Sequence, residues 1–243
     1  MLTQMYKEKK YRRWTGSDDL VSFEVIEKQT DLFILAEKNL RNKVRAAILT
    51  YRGYIENYIK KDRRFFYSLE PIKVDRSVPE IIKRMADASK KAGVGPMASV
   101  AGAIAEFVGR DLSSLSGEII IENGGDIFLR SSKIRTLGIF AGDDSPFTGK
   151  LNLEVPVSKK GLGICTSSGT VSHSLSFGKA DAVIIMSEDT ILADAVATAA
   201  GNIVKEPRDI EKAIKFARAI HGVKGVLILA EDKIGSWGDV KLV

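Results

Sequence analysis

The chain contains very few of the residues that most often hold transition metals or form disulfides. Cys165 is the single cysteine, so an intramolecular disulfide and a cysteine-based zinc site are both excluded. His173 and His221 are the only histidines, and two histidines leave little room for a histidine-based metal cluster. These absences argue against the common kinds of zinc chemistry.

Long apolar runs are also missing. None approaches the length of a membrane span, and residues 1–14 lack the apolar core of a secretory signal. We therefore expect no membrane partner and a cytoplasmic location. The hydrophobic content of 44% and the charged content of 28% are ordinary for a globular protein, and 243 residues can bury a sizeable core.

The net charge of +6 lies wholly in the first quarter of the chain. Residues 1–64 hold 15 Lys and Arg against 9 Asp and Glu, whereas residues 65–243 hold 22 of each. Such a surplus fits either an anionic partner or a solvated surface. Because the basic blocks are short and no RNA- or DNA-binding motif accompanies them, we favour a solvated surface and expect no nucleic-acid partner.

The apolar pattern predicts an α+β fold, since hairpin signals outnumber βαβ signals. We predict one domain over residues 1–243, in which a strand meander and a helix within residues 1–75 pack against the core. The predicted strands are Tyr11–Thr15, Leu20–Lys28, Asp31–Ala36 and residues 117–122, 127–130, 134–141, 151–155, 162–166, 180–186 and 226–230. The predicted helices are Leu40–Lys61, Pro79–Ala92, Met97–Val108 and residues 190–204 and 207–220, with a short edge strand open at the C-terminus.

Residues 161–202 combine a polar loop, an apolar strand and a helix rich in small residues. Asp194 and Thr198 are four residues apart on that helix and therefore share one face. A carboxylate and a hydroxyl on one face suit a hard cation such as magnesium, which leaves coordination positions for phosphate oxygens. The spacing alone also fits a solvated Asp194 and a Thr198 hydroxyl bonded to a helix carbonyl.

The polar loop offers a second, different chemistry. Cys165, Ser168 and His173 could form a hydrolase-like nucleophile set, but the strand and loop lack the nucleophile-elbow pattern. We favour a buried strand thiol for Cys165. The ordinary pKa of histidine, about 6.5, suits His173 as a general base, and a structural histidine that caps a turn fits equally well.

Four segments together resemble the ApbE superfamily of FAD:protein FMN transferases, and most closely its shorter, less characterised family of bacteria and archaea. The resemblance covers about residues 95–204. Its motifs are Gly102–Asp111 (GAIAEFVGRD), Glu122–Ile127 (ENGGDI), Thr166–Thr170 (TSSGT) and Ala193–Ala199 (ADAVATA).

The resemblance implies an ApbE-like α+β core of antiparallel sheets with packed helices, and a transfer of FMN from FAD to a hydroxyl of an acceptor protein. It implies magnesium on Asp194 and Thr198, together with a backbone carbonyl near Ala101–Gly102, and catalytic roles for His173 and Asp194. Asp126 would position a ribose or the metal. The implied nucleotide-binding residues are Gly124, Gly125, Asp126, Thr166, Ser167, Ser168, Gly169 and Thr170.

The sequence also departs from the transferases. Glu106 stands where they usually carry a lysine, residues 171–178 replace a long insertion, and residues 1–75 replace their N-terminal half. Three functions therefore stay open. They are a magnesium-dependent FMN transferase, a flavin- or nucleotide-binding protein without transfer, and an accessory factor in sulfur assimilation, in cysteine or homocysteine synthesis. A flavin nucleotide is the expected partner of the first two, and a homo-oligomer is an open alternative.

Overall fold

The computed structural model describes residues 19–169 and 178–243, which form eleven strands. Eight strands form one antiparallel sheet in the order β1-β2-β3-β4-β7-β8-β9-β10, and three form a smaller sheet in the order β11-β6-β5. Their bounds are β1 Val21–Glu27, β2 Thr30–Ala36, β3 Ile119–Asn123, β4 Asp126–Ser131, β5 Arg135–Gly138, β6 Asn152–Val155, β7 Ser158–Ser167, β8 Ala182–Ser187, β9 Val223–Ala230, β10 Lys233–Gly238 and β11 Lys241–Leu242.

Six helices accompany the sheets: α1 Arg41–Lys61, α2 Arg64–Tyr67, α3 Glu80–Ala92, α4 Val100–Leu112, α5 Thr190–Ile203 and α6 Ile210–Arg218. Helices α1, α4, α5 and α6 pack on one face of the large sheet and enclose the larger apolar core. The other face buries a second apolar cluster against the small sheet. Strands β2–β4 and β7–β9 are therefore apolar on both faces, which explains continuous runs such as β8, whose six residues are all buried.

The predicted α+β class with antiparallel sheets is confirmed. One helix start is wrong, because Pro96–Ser99 forms a 3-10 turn and α4 begins only at Val100. Pro96 fixes the first residue of that turn, where its missing N–H is not needed. The C-terminal segment forms two strands, β10 and β11, rather than one. The predicted strand Tyr11–Thr15 lies outside the described residues.

The meander of β1 and β2 continues the large sheet, since β2 pairs with β3 from Leu32↔Asn123 to Ala36↔Ile119. Helix α1 packs on β1 and α4 through Val44, Ile48 and Ile55, which are all buried. The organisation of the whole chain as one domain stays a prediction.

Within the described residues, no single helix has the length and apolar composition needed to cross a membrane. The pair Glu80–Ala92 and Pro96–Leu112 passes that test only jointly, and its two segments are bent by 105°.

Candidate functional site

The site is built on the seam between α4, with the turn before it, and α5. Three hydrogen bonds cross this seam, and their members are four residues apart on each side. The backbone N–H of Thr190 donates to Oε2 of Glu106 (2.7 Å), the N–H of Gly102 donates to Oδ2 of Asp194 (2.8 Å), and the Thr198 hydroxyl lies 3.5 Å from the carbonyl oxygen of Ala98. The two segments therefore run antiparallel, with one facing pair per helical turn.

Small residues allow this close approach. A Cβ added to Gly102 would lie 2.7 Å from the carbonyl oxygen of Thr190 and 2.9 Å from Cβ of Asp194. Both distances are shorter than a van der Waals contact, so only glycine fits at this position without a shift of α5. The run of small residues in α4 is thus explained by helix packing that brings Asp194 to the start of α4.

Asp194 is buried, with 7% of its surface exposed, and accepts backbone hydrogen bonds from Ala101 and Gly102 in the first turn of α4. Ser99, the residue before α4, makes no capping bond of its own. Asp194 therefore caps α4 from a neighbouring helix. The alternative of a solvated Asp194 is wrong, because its carboxylate is enclosed by two helices.

Thr198 is half-buried on the next turn of α5. Its hydroxyl faces Ala98 in the 3-10 turn, so the nearest carbonyl belongs to the opposite segment. Of the carbonyls expected from Ala101–Gly102, that of Ala101 accepts a hydrogen bond of 3.0 Å from Nδ2 of Asn123. The carbonyl of Ala98 is not among the cation ligands expected from the sequence.

The hairpin turn between β3 and β4 approaches this seam from the sheet. Gly124 and Gly125 both have positive φ (69° and 111°), which only glycine adopts readily, and they close a two-residue hairpin. The N–H of Gly125 donates to the side chain of Glu122 (3.0 Å). A Cβ on Gly125 would lie 3.7 Å from the carbonyl oxygen of Thr166, so the turn and the end of β7 are neighbours.

Asp126 begins β4 directly after this turn and is 8% exposed. It is hydrogen-bonded by the thiol of Cys165 and the N–H of Thr166, but its Oδ1 is buried without a hydrogen-bond partner. Burial raises the pKa of Asp126 to about 7, with a contribution from the charge of Glu122. Burial and the nearby charge of Asp126 also raise the pKa of Asp194 well above its usual range.

Cys165 is fully buried on β7, and its Sγ lies 3.4 Å from the carbonyl oxygen of Thr190. Burial, followed by the charges of Asp126 and Asp194, raises the pKa of Cys165, so the thiol stays protonated. A protonated and enclosed thiol is a poor nucleophile. The interpretation as a buried strand thiol is confirmed, and the hydrolase-like set loses its central residue.

The polar loop leaves β7 at the far end of α5. The side chain of Ser167 lies beside Gly201, where an added Cβ would be 3.2 Å from its Oγ, and the N–H of Gly169 donates to the carbonyl of Ala180 (3.0 Å). Ser168 is buried. Thr170 and His173 lie outside the described residues.

Strand β7 and helix α5 run side by side in the same direction, because Gly163 abuts Thr190 and Ser167 lies beside Gly201. Thr166 is therefore level with the turns of α5 that carry Asp194 and Thr198. The structure thus brings together most of the predicted residues from three elements: the hairpin turn, the end of β7 and α5. The carboxylate, hydroxyl and carbonyl oxygens of these residues suit a hard cation.

The acids at this site have no cationic neighbour. No Lys or Arg is among the groups that shift the pKa of Asp126 or Asp194 within the described part of the chain. Residues 19–169 and 178–243 also hold no group of three His, Cys, Asp or Glu side chains placed to hold a metal ion. A cation here would combine at most two carboxylates with neutral oxygens, and the residues present fit that requirement.

The opposite end of the seam is different. Glu106 is 1% exposed and pairs with Arg84 of α3 and, at 2.6 Å, with Arg110 one turn further along α4. Arg84 also pairs with Asp189 (3.0 Å), whose carboxylate caps α5 through the N–H of Leu192. The negative charge of Glu106 is thus compensated by two arginines. The sequence signal for this cluster of ion pairs is a charged residue within an otherwise apolar helix.

Comparison with known proteins places this geometry in a family. The family model described as "AbpE bacteria" matches residues 12–229. The chain belongs to this ApbE-like family. A UPF0280 protein of Methanocaldococcus jannaschii is 40% identical over 222 residues, which cover 89% of this chain and 90% of that one. A UPF0280 protein of Methanocella arvoryzae is 37% identical over 212 residues, covering 87% and 86%.

Solved ApbE structures share the fold. The flavinyl transferase ApbE of Pseudomonas stutzeri, in its apo form, aligns with a TM-score of 0.59 at 12% identity, over 90% of this chain and 94% of that one. The flavin transferase ApbE of Vibrio cholerae aligns with a TM-score of 0.56 at 12% identity, over 90% and 96%. The predicted resemblance to the ApbE superfamily is confirmed by the family model and by the shared fold.

Proposed function

We propose that this ApbE-like protein is a magnesium-dependent FMN transferase that uses FAD as its substrate. The observation that carries the proposal is the geometry at the open end of the α4–α5 seam, which is the end that holds Asp194 and Thr198. There Asp194 is bonded to the start of α4, and Thr198, one turn further along α5, faces the Ala98 carbonyl. No Lys or Arg of the described residues is among the groups that shift the pKa of Asp194. The similarity in fold to ApbE flavin transferases supports the choice of a flavin nucleotide.

Asp194, Thr198 and the carbonyl of Ala98 would hold the magnesium. When bound, magnesium neutralises the negative charge that builds on a pyrophosphate as it is cleaved. The helix start at Ala101 and Gly102 holds the Asp194 carboxylate in a fixed position through two backbone N–H groups. A fixed carboxylate keeps the site assembled before substrate arrives.

The remaining residues would bind the nucleotide and move a proton. The hydroxyls of Thr166, Ser167, Ser168 and Thr170 would donate to phosphate oxygens. The N–H of Gly169 already donates to the carbonyl of Ala180, so Gly169 would contribute through its missing side chain. Gly124 and Gly125 present backbone without side chains, so a ligand can approach the turn closely. His173 would accept the proton of the acceptor hydroxyl. The hydroxyl oxygen then bonds to the FMN phosphorus, the pyrophosphate P–O bond breaks, and AMP leaves.

A non-catalytic, flavin-binding or accessory role in sulfur assimilation remains the second candidate. It is favoured by Glu106, an acid at the position where the transferases usually carry a lysine. Glu106 is an anion that is paired with Arg84 and Arg110, so it does not supply the positive charge that a lysine would offer to a phosphate.

The test is transfer itself. Purified protein, FAD and magnesium are added to an extract of the source organism, and covalent flavin is followed by in-gel fluorescence and by the mass gain of the labelled band. We expect a labelled acceptor and released AMP with the wild type and with Asp87→Asn, which removes an exposed carboxylate of α3. We expect neither with Asp194→Asn. Flavin binding without AMP release or labelling would favour the non-catalytic role.

A further inference from the structure

We propose that Asp126 is a direct ligand of the divalent cation, so that the cation is held by two carboxylates, Asp126 and Asp194, rather than by Asp194 alone. The inference deepens the proposed function and rests on its cation site. It assigns Asp126 to the metal and not to a ribose.

The first step of the argument is charge. Asp126 and Asp194 are each more than nine-tenths buried. Burial of an isolated carboxylate is costly unless it is paired or coordinates a metal, and two such groups together also repel each other. Because no basic side chain compensates them in the described part of the chain, a divalent cation is the missing partner whose charge matches theirs.

The second step is the unused oxygen. Oδ1 of Asp126 is buried and has no hydrogen-bond partner. Cys165 belongs to the core on the helix side of the sheet, so its neighbour Asp126 also faces the layer of α4 and α5. Native proteins satisfy nearly all buried polar atoms. A buried carboxylate oxygen without a partner on that side is therefore a candidate metal ligand.

The third step is position. Nδ2 of Asn123 donates to the carbonyl of Ala101, which ties the hairpin turn to the first turn of α4. The same turn of α4 holds Asp194 through Gly102. Asp126, three residues after Asn123, is therefore brought to the same helix end as Asp194.

Two other buried acids, Glu118 and Glu106, differ from Asp126 and Asp194 because each has a cationic partner. Glu118 is paired with Arg135 (2.7 Å) and bonded by Ser131 and Ser132, and Glu106 is paired with two arginines. Magnesium sites commonly use one or two carboxylates, which fits the pair at Asp126 and Asp194.

The experiment measures Mn²⁺ binding to the metal-free full-length protein without any flavin, by the EPR signal of free Mn²⁺. We expect Asp126→Asn to weaken binding about tenfold or more, as loss of groups that act on a metal does. The control Asp87→Asn removes an exposed carboxylate of the same size and should bind like the wild type. Equal affinity of Asp126→Asn and Asp87→Asn would overturn the proposal.

A second measurement does not depend on a folded variant. Crystals of the wild type soaked in Mn²⁺ should give an anomalous peak within bonding distance of both carboxylates. A peak that contacts Asp194 but not Asp126 would refute the inference. Neither readout needs FAD or an acceptor, so a cation held by both carboxylates in a protein that transfers no FMN would refute the proposed function alone.

Discussion

At each end of the α4–α5 seam a carboxylate on one helix accepts a hydrogen bond from a backbone N–H at the start of the other helix. The two carboxylates differ in their charged neighbours. At one end the carboxylate of Glu106 is enclosed by Arg84, Arg110 and the start of α5. At the other, Asp194 is enclosed by the start of α4 and the nearby Asp126, and no basic side chain of the described residues shifts its pKa. The ion pairs of Glu106 hold the helices together, whereas the uncompensated carboxylate of Asp194 leaves a site for a cationic ligand.

This contrast distinguishes a carboxylate that stabilises the fold from one that could bind a ligand, by charge compensation alone. Buried ion pairs are weak evidence for a site, because they also occur where only folding is served. The charge of Asp126 raises the pKa of the buried Asp194, and such a buried, uncompensated acid costs stability unless a ligand offsets that cost.

The largest effect should come from the compensated end. Glu106→Ala leaves two arginines without their shared carboxylate and the N–H of Thr190 without its acceptor. We expect a loss of about 3 kcal/mol in the free energy of unfolding, near the lower end for a broken buried pair. Urea unfolding measures it. Glu211→Gln, in an exposed pair with Lys215, is the control and should change stability by less than about 0.5 kcal/mol.

Closing the seam sterically should have the next largest effect. Gly102→Ala places a methyl group 2.7 Å from the carbonyl oxygen of Thr190, and such overpacking costs about 1–3 kcal/mol. Gly53→Ala, in α1 with no atom within 4 Å of the new Cβ, should instead stabilise by about 0.5–1 kcal/mol. Thermal unfolding of both variants should show opposite signs. Equal signs would mean that the seam is looser than described.

Because of the acids at the open end of the seam, the stability of the metal-free protein should depend on pH. The pKa of Asp126 rises from 3.8 to about 7 on folding, so the native state binds more protons than the unfolded state between these values. Stability of the metal-free protein should therefore fall as pH rises from about 4 to about 7, by at least about 1 kcal/mol. Asp126→Asn should flatten this slope, and magnesium should restore stability at pH 8. An unchanged slope in Asp126→Asn would assign it to other groups.

The smallest effect lies within the compensated end. The side chain of Arg110 is 55% exposed and that of Arg84 is 17% exposed, although both contact Glu106. Arg110→Gln should cost about 0.5 kcal/mol, as exposed pairs do, and Arg84→Gln clearly more. Urea midpoints compare the two. A larger loss in Arg110→Gln would show that exposure does not rank these contacts.

Local patterns predicted much of the fold and only part of the site. The helix of residues 41–61 and the strand β3 follow from apolar periodicity, which depends on neighbours in sequence. The contact of Gly102 with Asp194 joins residues 92 positions apart, and no local pattern encodes it. For the same reason the sequence did not indicate Ala98, whose carbonyl acts through the backbone, or the burial of Asp194.

The resemblance named Asp194 and Thr198 together, yet it did not show that Asp126 has an unpartnered oxygen. That property depends on how β4 packs against β7, where Cys165 and Thr166 lie beside the carboxylate of Asp126. Thr170 and His173 keep their predicted roles as proposals.

Binding of FAD with and without magnesium tests the central claim most directly. Flavin fluorescence is titrated with the full-length protein in magnesium and in a chelator, for the wild type and for Thr198→Val. We expect magnesium to tighten FAD binding about tenfold or more in the wild type, within the usual range of coupling between two ligands, and little in Thr198→Val. Equal affinity in magnesium and in chelator, or no binding of FAD in either, would contradict the account.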